Sequence, residues 1–183
     1  MTHEIDGIAA RQWGLISVPQ LRQFGLDADR LRNRVDAGDL IRLRRGVYRV
    51  AGAPLRWEQA VLAAALAVGN LGLVSHTTAA PWDLKHSDRH TTGLHLVVPR
   101  QIRLRGVRGH IGPLPARARV VHRDIPVTTA ERTITDLAPT LPPARLGECI
   151  DDALRRRLIR LDRLRATVTE AWLPHGGRRL RYR

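Results

Sequence analysis

The residues with the most chemistry to offer sit close together. Arg30, Arg32, Asn33 and Arg34 are followed, beyond a glycine, by Arg42, Arg44, Arg45 and Tyr48. Guanidinium groups present paired N–H donors in a fixed fork. They suit bidentate contacts to phosphate oxygens and to guanine edges. Such chemistry needs a scaffold that presents some of these groups to a groove and others to the flanking backbone.

The stretch SVPQLRQFGLDADRLRNRVDAGDLIRLRRGVYRV, Ser17 to Val50, has the pattern of that scaffold. Ser17 with Gln20 three residues on is a capping-box pair, and Pro19 falls in the first turn, where its missing N–H costs little. Leu21 and Phe24 give this short helix an apolar side, and Gly25 can end it in the left-handed conformation. Asp27 is an N-cap candidate for a second helix. There Leu31 and Val35 face inward, while Arg30, Asn33, Arg34 and Ala37 follow helical spacing on the other side. Gly38 closes it. Leu40 to Leu43 and Val47 to Val50 then read as strands around the turn Arg44-Arg45-Gly46. Two helices joined by a tight turn, followed by a basic ribbon, form a winged helix-turn-helix pattern. Its second helix is built to lie in the major groove of DNA. On this reading Arg30, Asn33 and Arg34 touch base edges or nearby phosphates, and Arg42, Arg44 and Arg45 hold the flanking backbone or the minor groove. The competing reading is an ordinary helical pair with a solvated arginine face.

The totals agree with a polyanion partner. The 183 residues carry a formal charge of +14, and Lys85 is the only lysine. Such a surface attracts nucleic acid and speeds encounter with it. Hydrophobic residues make up 43% and aromatics 4%, so the core must be built from Leu, Val, Ile and Ala. One cysteine, Cys149, excludes an internal disulfide and a multi-cysteine metal site. The polar start, Met1 to Ile8, does not read as a signal peptide. The longest apolar run, Ala60 to Val68, is far short of the roughly 18 residues that span a bilayer. A cytoplasmic location without membrane contact is expected.

Around the head, His3 to Gln12 reads as a first helix with Ile5, Ile8 and Ala9 on one side, and Trp13 as a cover for the core. Ala51 to Leu55 is a candidate linker. Trp57 to Val68 reads as a helix apolar nearly all round, hence buried. Leu73-Val74, Leu94 to Pro99 and Arg119 to His122 read as strands, and Gln101 to Gly112 as a basic hairpin or an irregular strand pair. Thr128 with Glu131 is a second capping box, opening a helix with Ile134, Leu137 and Ala138 inward. Pro142-Pro143 starts a helix striped with Leu146, Cys149, Ile150, Ala153, Leu154 and Leu158, and a last helix begins at Asp162. The expected fold class is α+β. A winged helix-turn-helix at 1–52 precedes a small mixed α/β body at 53–173 and a basic disordered tail at 174–183.

The run GLISVPQLRQFGLDADRLRNRVDAGDLIRLRRGVYRV resembles the N-terminal domain of AbiEi-like antitoxins from type IV toxin–antitoxin systems. Arg44, Arg45, Gly46, Val47 and Tyr48 match the Arg-Arg-Gly-Val-Tyr wing of that group. The segments SHTTAAPWDL, LHLVVPR and IPVTTAERTITDLA resemble the body of these proteins, especially actinobacterial ones. The resemblance implies a DNA-binding antitoxin that binds inverted repeats upstream of its own operon and represses it. It also implies a nucleotidyltransferase-like toxin as the protein partner. Many long relatives carry a further endonuclease-like domain after the body, which this sequence up to Arg183 does not contain. The alternative is a stand-alone winged-helix regulator, or a truncated DNA-binding module of an endonuclease-like protein, with no toxin to oppose.

Other chemistries are disfavoured by the residues themselves. A restriction-like nuclease needs carboxylates and a lysine around a metal. Lys85 has no Glu-x-Lys pattern beside it, and the adjacent Asp151 and Asp152 point about 100° apart on a helix. His86 and His90, with Asp88 between them, have ligand spacing only if helical, which their loop composition opposes. His76, His95, His110 and His122 are scattered; the body could bring some of them near each other, but each reads as a hydrogen-bonded structural group. Ser75 and His76 are neighbours and cannot form a nucleophile–base bond of ordinary geometry. Cys149 reads as core. The arginines between Arg100 and Arg108 are phosphate contacts or a solvated strand face. The expectation is therefore a non-enzyme with no cofactor and no metal. Its partner is operator DNA with inverted repeats, bound as a homodimer or as two monomers on half-sites about 34–36 Å or a multiple apart.

Overall fold

A computed structural model of the chain describes residues 2–69, 72–84 and 93–172. Within these bounds the chain is α+β and folds into two units, Met1–Asn70 with Arg123–Ile125, and Leu71–His122 with Pro126–Arg183. The expected loop with Lys85, His86 and His90, and the expected disordered tail at 174–183, lie outside the described residues.

The first unit begins with α1 (Thr2–Arg11), β1 (Leu15–Ser17), α2 (Val18–Gln23) and α3 (Ala28–Asp36). The ribbon β2 (Leu40–Arg44) and β3 (Val47–Val50) follows, and then α4 (Trp57–Val68). The wing has three strands in the order β1-β3-β2, all antiparallel. β1 was not apparent in the sequence: Leu-Ile-Ser is too short to show alternation, and all three residues are buried. Ile5, Ile16, Leu21, Leu26 and Leu40 form the core here, with Phe24, Leu31, Val35, Tyr48 and Val50 packed on it. Trp13 is half-buried, and the Arg56 guanidinium lies 5.9 Å from its ring centroid.

α4 changes the expected division of the chain. It contacts β1, β2 and β3 and so belongs to the first unit, whose main segment runs on past residue 52. A helix with buried Val61, Leu62, Ala63, Ala64 and Ala65 needs apolar partners on more than one side, and the wing sheet supplies one. Gln59 secures it by donating Nε2 to the Trp13 carbonyl at 2.7 Å.

The second unit comprises β4 (Leu73–Val74), α5 (His76–Asp83), β5 (Leu94–Val98), β6 (Val107–Ile111), β7 (Arg119–His122), β8 (Ile125–Thr128) from Pro126 on, α6 (Ala130–Leu137), α7 (Pro143–Arg155) and α8 (Leu161–Trp172). Its sheet has the order β6-β5-β4-β8-β7. The expected basic hairpin at Gln101 to Gly112 is absent. β6 runs parallel to β5, and only a single bridge, Leu104 to Val107, folds the intervening segment back. Gly109 makes the edge possible, since a Cβ there would meet Ile102 Cγ1 at 2.6 Å. Arg123 and Asp124, with φ of 48° and 64°, form the two-residue turn between β7 and β8. The helical core is Ile134, Leu137, Cys149, Ala153, Ile159 and Leu164, so Cys149 is indeed a packing residue.

The second capping box is displaced by one residue. Thr129, not Thr128, caps α6 and accepts from the Arg132 N–H at 3.3 Å. Thr128 is drawn inward instead. Its hydroxyl bonds to the Val74 carbonyl and to Thr133, holding β8 to β4.

Candidate nucleic-acid interface

The two-helix turn is built from local bonds. The Gln20 side-chain amide oxygen Oε1 accepts both the Ser17 N–H at 2.9 Å and the Ser17 hydroxyl at 2.8 Å, which fixes the entry to α2. Gly25, at φ 72°, lets the chain leave α2 and turn toward Asp27. The Asp27 carboxylate accepts the Arg30 N–H at 2.8 Å and caps α3 as the sequence predicts.

α3 buries none of its nine residues completely. Leu31 and Val35 hold one side of it half-buried on the core. At about 1.5 Å per residue the helix is roughly 13 Å long, enough to occupy a major groove about 12 Å wide. Arg30, Arg32 and Asn33 are exposed along it, and Arg34 is half-buried at its base.

Two of these arginines have acidic neighbours. Arg30 lies 3.9 Å from Asp27 and Arg32 lies 3.5 Å from Asp29, with all four side chains at least 60% exposed. Exposed pairs of this kind are worth about 0–1 kcal/mol. A bidentate arginine–guanine contact is worth about 1–3 kcal/mol of discrimination. Pairs this weak leave both guanidinium groups able to exchange their carboxylate for another anion.

The ribbon β2–β3 presents the rest. Register runs Arg42 to Tyr48 and Arg44 to Val47, with an irregularity at Leu43. Gly46, at φ 74°, closes the turn beside Arg45. Arg42 and Arg45 are exposed, whereas Arg44 and Tyr48 are half-buried. Burial lowers the pKa of Arg44 from its usual value. Tyr48 packs on the core, so its ring serves the scaffold of the wing. Sequence reasoning overlooked Arg49, which donates Nη1 to the Ala53 carbonyl at 2.8 Å and pins the exit of the wing. A cation at a strand end carries no pattern that separates this duty from a solvated one.

The second unit holds a different assembly. Ser75 donates its hydroxyl to Asp136 at 2.5 Å, and Arg132 donates Nε to the same carboxylate at 2.8 Å and Nη1 to the Pro113 carbonyl at 2.7 Å. Ser75 is thus committed to a carboxylate and not to its neighbour His76. Beside this network three histidines converge. His95 Nδ1 and His110 Nε2 are 3.0 Å apart, and the His76 ring is stacked on His110 with centroids 3.7 Å apart. Burial, reinforced by the neighbouring histidines and by Arg132 and Arg108, depresses the His76 pKa to about 2. Burial, then His95 and Arg108, brings His110 to about 4, and His95 is lowered in the same sense. The surroundings thus favour the neutral form of all three rings. Spacing could not show this cluster, because its members come from three separate elements.

Residues 3–51 match the model of a family described as a transcriptional regulator, AbiEi antitoxin. The match covers α1, the helix-turn-helix and the wing. No curated protein matches the chain. Among the described residues no helix is long and apolar enough to cross a membrane.

Proposed function

Taking an N-terminal domain of the AbiEi transcriptional-regulator type as the premise, we propose that the chain is a sequence-specific double-stranded DNA-binding antitoxin. It represses its own toxin–antitoxin operon and counters a nucleotidyltransferase-like toxin. The supporting observation is α3: a capped helix with no fully buried residue, exposing Arg30, Arg32 and Asn33 next to a wing that exposes Arg42 and Arg45. On this reading α3 supplies base-edge contacts, and the wing arginines grip phosphates on either side. One head covers one half-site. Repression then calls for two copies on an inverted repeat, since a lone contact of this size is weak at physiological salt. The chain acts by occupancy and performs no catalysis.

The test has two arms. A footprint on the DNA upstream of the chain's own gene should show two protected half-sites related by inversion. Co-expression with the product of an adjacent nucleotidyltransferase-like gene should restore growth. Protection without rescue would identify a stand-alone regulator and remove the antitoxin role. No protection at any duplex would remove the whole reading.

A further inference from the structure

We propose that His76, His95 and His110 form a three-imidazole site for a divalent first-row transition-metal ion, best matched by Zn2+. One ring nitrogen from each histidine lies within 4.8 Å of the other two. The backbone explains how they meet. β5 and β6 are parallel, with Val97 opposite His110, so His95, two residues before Val97, shares a face of the sheet with His110. His76 is delivered to that face by the start of α5. The Ser75 N–H donates to the His95 carbonyl at 3.0 Å, and the His95 N–H donates to the Thr78 hydroxyl at 2.8 Å. The Ser75 backbone before His76 and the Thr78 side chain after it are thereby fastened to His95.

A further observation points to a ligand. His76 is 4% exposed, and its Nδ1 has no hydrogen-bond partner. A buried ring nitrogen left unsatisfied forfeits the hydrogen bond it would make in water. A bound ion would supply the partner that this nitrogen lacks.

The donor set and geometry suit the ion. Neutral imidazole is the form that ligates, and it favours zinc, copper and nickel over magnesium or calcium. With Zn–N bonds of about 2.0–2.1 Å, a tetrahedral site places its nitrogens about 3.3 Å apart. The His95–His110 separation of 3.0 Å is already close to such an edge. The His76 ring is stacked on His110 and must turn out of that stack for its nitrogen, now within 4.8 Å of the other two, to complete the triangle. When the ion enters, the proton shared by His95 and His110 moves to the outer nitrogen of the ring that carries it. Both inner lone pairs then turn to the metal. Arg132 faces the cluster, but its charge is balanced by Asp136 at 2.8 Å; Arg108 is the other cation nearby. Three protein ligands leave the fourth position open to water or to a donor from another molecule.

The experiment titrates Co2+ into the chelator-stripped full chain and follows the visible d–d absorption of a tetrahedral ion. One equivalent should saturate the band, and Zn2+ should displace it and raise the melting temperature. His110→Gln and His95→Gln should each lose the band. The double variant H86Q/H90Q should keep it. The parent chain itself decides if a variant fails to fold: no band and no shift in melting temperature with excess Zn2+ overturns the site. Retention in H110Q together with loss in H86Q/H90Q overturns it as well. DNA binding is scored separately, so failure of the metal site and failure of the operator reading are distinguishable.

Discussion

Replacing Arg42 and Arg45 together by alanine isolates the electrostatic share of the wing. Both side chains are exposed, so their removal leaves the core of the first unit intact. Arg44 is kept, because its half-buried stem also packs. A guanidinium that neutralises one phosphate contributes about 0.9 to the slope of log affinity against log salt, so two contribute about 1.8. Between about 50 and 200 mM salt that slope amounts to roughly a 12-fold change in affinity. The double variant should therefore lose about 12-fold less affinity than the parent over the same range. Fluorescence anisotropy with two labelled duplexes, one containing the upstream repeat and one scrambled, measures it. The ratio between the duplexes should stay as in the parent, since phosphate contacts carry no sequence information. A slope equal to the parent's would refute the assignment of the wing. So would a collapsed ratio at unchanged slope, which would mean that these arginines read bases.

Three other outcomes follow from the same structure. Arg30→Ala keeps the cap on α3, which uses only the Arg30 backbone N–H, and should cost about 1–3 kcal/mol of discrimination between the two duplexes with little change in salt slope. Leu137→Ala removes a completely buried side chain from the helical core and should lower unfolding free energy by about 2–5 kcal/mol in urea titrations. Asp152 has its pKa held below the usual carboxylate range by a hydrogen bond from Arg155, against some opposition from burial, and with help from Arg156. Its folded pKa lies below its unfolded one, so its contribution is complete above the usual carboxylate range and is lost as pH falls through the folded value. Asp152→Asn should therefore flatten the acid side of the stability profile, read as urea midpoints from pH 6 down to pH 3.

What could be read from the residues was what neighbours decide. Asp27 caps α3, Gly46 turns the wing, and Trp57–Val68 is a helix, each because the signal lies within a few positions. The displaced cap at Thr129 shows the limit of such signals. Thr128 and Thr129 are equivalent in a capping pattern, and only the distant Val74 carbonyl and Thr133 hydroxyl decide which one faces inward. The allegiance of α4 and the parallel pairing of β5 with β6 are likewise settled by partners far along the chain. The exposed arginine face of α3 was legible because helical spacing sets Arg30 and Asn33 apart from Leu31 and Val35 within one short run. The three histidines were not, because each looks like an isolated structural residue until the sheet brings two of them to one face and α5 brings the third.

The narrowest strand of the second sheet stands at its centre. β4 has two residues, held to β5 through Leu73–Val97 and Val74–Leu96 and to β8 through Val74–Val127. A fabric with so few stitches along its midline parts there first. Under mild denaturant or mechanical load it would separate into two ribbons, β6–β5 on one side and β8–β7 on the other, before either ribbon frays. Amide exchange at Leu73 and Val74 would then outpace that of the longer strands flanking them, so the middle of this sheet would open more readily than its flanks.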